Sequence, residues 1–118
     1  MKSFTIVLAF LFVGLAAQAQ YLEVVKQEFY PNGNLKMECI SVTAGAVEVT
    51  YFYESGVVSE TGYFKQDQLE GEWSSYDENA QLLATGFFEE GHKTGMWKIY
   101  REGKLFYNLD YSSDLALK

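Results

Sequence analysis

The chain copies itself every 23 to 24 residues, and a short period kept along most of a chain constrains its fold more than any composition could. Gly62-Tyr63-Phe64 returns as Gly86-Phe87-Phe88, and Gly71-Glu72-Trp73-Ser74-Ser75-Tyr76 returns as Gly95-Met96-Trp97-Lys98-Ile99-Tyr100, each at an offset of 24. The stretch that follows each aromatic returns as well. Phe52-Tyr53-Glu54-Ser55-Gly56 matches Tyr76-Asp77-Glu78-Asn79-Ala80 and Tyr100-Arg101-Glu102-Gly103, with Phe29-Tyr30-Pro31-Asn32-Gly33 as an earlier copy. Two copies, around Trp73 and Trp97, are well kept and two are worn. Such a unit cannot bury its apolar face alone, so neighbouring copies must stack.

Glycine-marked turns at short, even spacing, with aromatic and β-branched residues between them, are the pattern of successive hairpins. Asn32-Gly33 and Ser55-Gly56 are tight-turn pairs. The pattern predicts strands over 23–30, 34–41, 46–53, 57–64, 71–77, 81–88, 95–101 and 104–111. The fold class is therefore all-β: an antiparallel meander of tandem hairpins forming an elongated twisted sheet, with repeats over 29–51, 52–75, 76–99 and 100–111. Gly62 and Gly86 fall inside strands, where glycine weakens the sheet unless another group needs the vacated space. The recurrent tryptophan is the natural occupant, so the Trp73 ring is expected across the backbone at one of these glycines and the Trp97 ring across another.

The residues Gly62, Gly71, Trp73, Tyr76, Gly86, Gly95, Trp97 and Tyr100, with Gly33 and Gly56 in the turns, form a pattern that resembles MORN-type repeats, in particular the bacterial YwqK-like antitoxin repeat family. The resemblance extends from residue 29 to about residue 105 and implies an interaction module whose partner is a toxin. Three positions depart from it. Ala80 stands at the turn glycine, Val49 replaces the tryptophan of the second copy, and Cys39 replaces the strand glycine of the first. Atypical terminal units are expected to cap a stack, which covers Cys39 but not Ala80.

Before the repeats, Lys2, the apolar run Phe4 to Leu15 and the small-x-small pattern Ala17-Gln18-Ala19 read as a cleaved signal peptide, residues 1–19, ahead of a single repeat domain, residues 20–118. The apolar run is too short to cross a bilayer, so export without a transmembrane anchor, to the periplasm or beyond the cell, is expected. Without the leader, eight basic side chains face sixteen acidic ones. That balance disfavours nucleic acid, whose binding is driven by Lys and Arg neutralising phosphates, and anionic membrane surfaces likewise. A single cysteine permits no internal disulfide. Aromatic residues make up 17% of the chain, and they must be packed or displayed.

No constellation for chemistry emerges, and no cofactor or metal site is expected. His92 falls in a predicted loop, Glu89 to Thr94, without a nucleophile near it. The stretch Lys36-Met37-Glu38-Cys39-Ile40 offers no His or flanking cationic pair, so Cys39 reads as a small buried residue. Glu54, Glu78 and Glu102 recur at one turn and so serve the repeat first. Asp67, Glu70 and Glu72, or Glu89 and Glu90, lack the alternating spacing that wraps calcium. Three function classes follow. The favoured one is a non-catalytic protein-interaction module, with Tyr53, Tyr63, Trp73 and Trp97 as candidate partner-binding side chains. The second is a glycan- or peptidoglycan-binding module using surface aromatics as stacking platforms. The third, an enzyme, lacks supporting residues. Two open sheet edges add self-association as an expectation.

Overall fold

A computed structural model describes residues 22–43 and 45–112; the expected signal peptide lies outside the described residues. Among the described residues nine strands form one open antiparallel sheet: β1 (Glu23–Phe29), β2 (Leu35–Thr43), β3 (Ala46–Phe52), β4 (Val58–Lys65), β5 (Gln68–Leu69), β6 (Gly71–Tyr76), β7 (Leu82–Glu89), β8 (His92–Arg101) and β9 (Lys104–Asp110). Their order across the sheet follows the chain, β1-β2-β3-β4-β6-β7-β8-β9, with β5 beside β4. The predicted meander is present, but Gln68–Leu69 and His92–Thr94, left outside the predicted strands, are paired strand residues.

β5 and β6 are one strand interrupted by a bulge. The β4 partners Phe64↔Leu69 and Thr61↔Ser74 leave the β5–β6 side longer than the β4 side, with Gly71 at φ 86° in the excess. One period later, Phe87↔Thr94 and Thr85↔Lys98 show the same excess, with Gly95 at φ 68°. Smaller register shifts recur ahead of Phe29, Phe52, Tyr76 and Tyr100. The repeat is thus a repeat of irregularities as well as of strands, and each bulge adds local twist and re-aims the side chains beside it.

The sheet is a single layer with two unlike faces. Across the inner face, pairing aligns Cys39, Val49 and Gly62, then Trp73 with Gly86, and Trp97 with Leu109. Buried side chains among the described residues are few: Met37, Val49 and Trp97. In place of a two-layer core, a line of rings runs over the inner face, Tyr51–Trp73–Phe88–Trp97–Tyr111, with centroid separations of 6.5, 5.7, 5.2 and 6.0 Å. Tilted or edge-to-face contacts of this kind contribute about 0.5–1.5 kcal/mol each beyond the area they bury. Lys93 lies over the end of the line, 4.9 Å from the Trp97 centroid and 5.3 Å from that of Tyr111.

Candidate functional site

Each aromatic that the repeat supplies is first a structural part. A Cβ at Gly62 would overlap ring atoms of Trp73, and a Cβ at Gly86 would overlap ring atoms of Trp97, so both indoles lie flat on glycine backbone. The wide bulge at Gly95 leaves the Phe87 carbonyl to accept a hydrogen bond from Trp97 Nε1 at 3.1 Å, which fixes the ring. Where the tryptophan is absent the glycine is absent too: Cys39 pairs with Val49, and no ring needs the space at position 39. At this position, then, the residue in the strand glycine's place faces a valine and not a ring. Its thiol is half-buried, approaches Met37 Sδ at 3.3 Å, and is pushed up in pKa by that burial.

The tyrosines that open the turns tie one repeat to the next. Tyr30 Oη donates to the Phe52 carbonyl and Tyr53 Oη to the Tyr76 carbonyl, both at 2.6 Å. Each of these turns spans five residues, closed by Gly33 N–H to Tyr30 O and by Gly56 N–H to Tyr53 O at 2.9 Å, with the glycines at φ 91° and 97°. Asn32-Gly33 and Ser55-Gly56 thus sit inside longer turns than the two-residue hairpins their sequence suggests. In the third turn Ala80 takes the glycine's place at φ 65°, and its N–H still reaches Asp77 O at 2.9 Å. Asp77 Oδ1 holds that turn by accepting from the backbone N–H of Asn79 and of Gln81, at 2.8 and 2.9 Å. The fourth turn is shorter, Glu102-Gly103 between Arg101 and Lys104, so Glu102 occupies a different turn position from Glu54 and Glu78.

The residues weighed for chemistry are not brought together. His92 is not in a loop: it is the first residue of β8, pairs with Glu89 across the tight turn Glu90-Gly91, and is exposed. Two consecutive residues at positive φ, 49° and 82°, make so short a connection possible. Cys39 on β2 and His92 on β8 have β3, β4, β6 and β7 between them, at about 4.8 Å per strand. Glu70 Oε1 accepts from the Glu90 N–H at 3.0 Å, which ties the bulge between β5 and β6 to the β7–β8 turn. Among the described residues no three His, Cys, Asp or Glu side chains are grouped to hold a metal ion.

The outer face repeats as well, in side chains that neither stack on a strand glycine nor close a turn. One row is hydroxylic, Thr50, Thr61, Ser74 and Thr85 in direct cross-strand succession, flanked by Glu38 and Lys98. The adjacent row alternates acid and aromatic: Glu48 pairs with Tyr63, and Glu72 with Phe87. Tyr63 Oη donates to Glu48 Oε2 at 3.2 Å; this bond and the Glu48 charge raise the phenol's pKa. Phe87 and Met96 are 47% and 46% exposed beside this row. Of the four aromatics expected at a partner surface, only Tyr63 lies on this face; Trp73 and Trp97 face inward, and the Tyr53 hydroxyl is taken up between turns. Sequence reasoning missed Phe87 and Met96 because their exposure depends on which way the bulge turns β8.

Three segments, residues 22–41, 47–66 and 69–90, match the model of the MORN repeat variant, together just over half of the chain. The chain belongs to the MORN repeat variant family. These MORN repeats each take in a strand pair and the turn within it, and they end before β8 and β9. No curated protein matches the chain. Two solved structures share its fold. One is a TarM mutant of S. aureus in complex with fondaparinux, alpha-GlcNAc-glycerol and UDP, at TM-score 0.55 and 8% identity over 78% of this chain. The other is TarM itself, at TM-score 0.54 and 9% identity over 78% of this chain. The chain spans about a fifth of the length of either, 20% of that chain. At such identity the likeness is one of sheet architecture.

Proposed function

We propose that this MORN repeat chain is an exported, non-catalytic interaction module that binds a protein partner through the outer face of its sheet. The observation that carries the reading is the row Glu48, Tyr63, Glu72 and Phe87, an acid–aromatic alternation on the face opposite the stacked rings. A partner fitted to it presents basic and apolar side chains, since complementary charge steers docking and exposed aromatics provide its buried contacts. An antitoxin-like role, with an exported or envelope toxin as the partner, is the most specific form of this proposal. The glycan-binding alternative is less well supported, because the Trp73 and Trp97 faces it would use for stacking lie on Gly62 and Gly86.

The test is capture from the envelope and secreted fractions of the source cells, with the full chain and a Glu72→Lys/Phe87→Ser variant as paired baits. A protein held by the first and released by the second, at unchanged circular dichroism, supports the proposal. Identical capture by both baits, or none by either, refutes it. Tryptophan emission that shifts on adding a soluble glycan would transfer the function to the alternative.

A further inference from the structure

The two edges of the sheet are finished differently. β1 carries Glu23, Lys26, Gln27 and Glu28, with Lys26 Nζ paired to Glu28 Oε2 at 3.3 Å, and charges along an edge oppose the addition of another strand. β9 has no such protection: between Lys104 and Asp110 it reads Leu-Phe-Tyr-Asn-Leu, and every one of its residues is exposed. Leu105, Phe106, Tyr107 and Leu109 are 52%, 53%, 45% and 37% exposed. Tyr111 N–H turns inward to the Gly95 carbonyl at 2.9 Å, so in the alternation of an antiparallel ladder the backbone groups of Asn108 and Asp110 face outward, without a partner strand among the described residues. This strand lies beyond the last family repeat, and the inner-face row that runs through Trp97 ends on Leu109.

We infer that β9 is the interface for a second copy of this chain, the two β9 strands pairing antiparallel about a two-fold axis to continue the sheet. Charge complementarity selects this occupant. The strand has its one cation, Lys104, at its start and its one anion, Asp110, at its end. An antiparallel copy therefore brings each Lys104 toward the partner copy's Asp110 and sets the uncharged segments against each other. Antiparallel pairing keeps the inner faces on one side, so Tyr107 and Leu109 of both copies extend a single apolar surface. A two-fold contact is closed and self-complementary, whereas joining β9 to β1 would make an open chain and set the uncharged Leu105–Leu109 segment against an edge that carries Glu23, Lys26 and Glu28 among its apolar Val24, Val25 and Phe29.

Sedimentation equilibrium of the full chain over a range of concentrations tests this, with circular dichroism as the control for folding. The expected result is a monomer–dimer equilibrium that stops at twice the monomer mass. Lys104→Glu, which sets like charges together, weakens association about tenfold, and Lys104→Glu with Asp110→Lys restores it. Asn108→Pro removes an outward N–H while sparing the bonds to β8, and it abolishes the dimer. Monomer at every concentration overturns the inference. So does association unaffected by both β9 substitutions, or growth beyond dimer that Val25→Lys on β1 blocks.

Discussion

If the tryptophans and strand glycines are coupled parts, exchanging both members of a pair must cost less than the two single exchanges predict. At Gly86 a Cβ would fall among Cδ2, Cε2 and Cε3 of Trp97. The ring would have to retreat by roughly 1.5 Å to reach ordinary carbon–carbon contact of about 3.5–4.0 Å. Retreat is opposed by the Nε1 bond to the Phe87 carbonyl and by Phe88, whose ring stands edge-on at 5.2 Å. Gly86→Ala is therefore an overpacking substitution in a rigid place, at a cost of about 2–3 kcal/mol. Trp97→Val removes most of a side chain that is 6% exposed, breaks two aromatic contacts and orphans an indole bond, at about 3–4 kcal/mol. In the double variant the alanine methyl enters space the indole has left, as Cys39 does beside Val49. The coupling should return about 1–2 kcal/mol. Urea unfolding followed by circular dichroism measures all four corners of the cycle, with slopes compared so that two-state behaviour is checked. Strict additivity of the two losses would refute the stacking account.

Other substitutions probe separate parts of the repeat. Ala80→Gly relieves a left-handed conformation that costs a non-glycine residue about 1–2 kcal/mol, less glycine's greater unfolded-state entropy, so the urea midpoint should rise for a net gain of about 0.5 kcal/mol. Tyr53→Phe leaves the Tyr76 carbonyl without its side-chain donor, and a loss of about 1 kcal/mol is expected in thermal or urea melts. Tyr63 has its pKa raised by the Glu48 hydrogen bond, so the neutral phenol is favoured in the folded state. Its contribution is complete below the ordinary tyrosine value of 10.0 and is lost as the pH rises through the higher folded value. Tyr51, raised chiefly by burial, acts in the same sense, so Tyr63→Phe should reduce the alkaline fall of the urea midpoint without abolishing it.

The meander could be read from the sequence because the period recurs in residues whose conformational roles are narrow: a glycine that follows Asn32 or Ser55 in a turn, a glycine that leaves room for a ring, a tryptophan that fills it. What escaped were features set by register. Gln68–Leu69 and His92–Lys93 are paired strand residues because positive φ at two successive turn residues brings each back onto the preceding strand. Nothing in residues 89 to 94 alone separates that from an open loop. The inner and outer faces were likewise hidden, because a bulge shifts which residues point each way, and two wide bulges lie between the start of β4 and the end of β8. Tyr63, Trp73 and Trp97 look equivalent as exposable aromatics in the sequence. Only Tyr63 is on the outer side, and it is the one that bonds a side chain rather than backbone.

The division between inner-face and outer-face residues bears on how such a sheet can acquire a function. Trp73, Trp97, Tyr30 and Tyr53 each contact backbone of an adjacent strand or turn, so a substitution in one copy disturbs the copy beside it. The Cys39–Val49 pair shows the allowed route, in which both partners change and the local fit is kept. Outer-face side chains are not fitted to backbone in this way: Tyr63 bonds the Glu48 side chain, Glu72 pairs with Phe87 across strands, and Met96 and Phe87 remain about half exposed. Partner recognition can therefore change along the outer rows while the inner face is held fixed. The same reasoning applies to β9, whose outward side meets no strand among the described residues, so its Leu-Phe-Tyr-Asn-Leu segment is free to serve the interface inferred above.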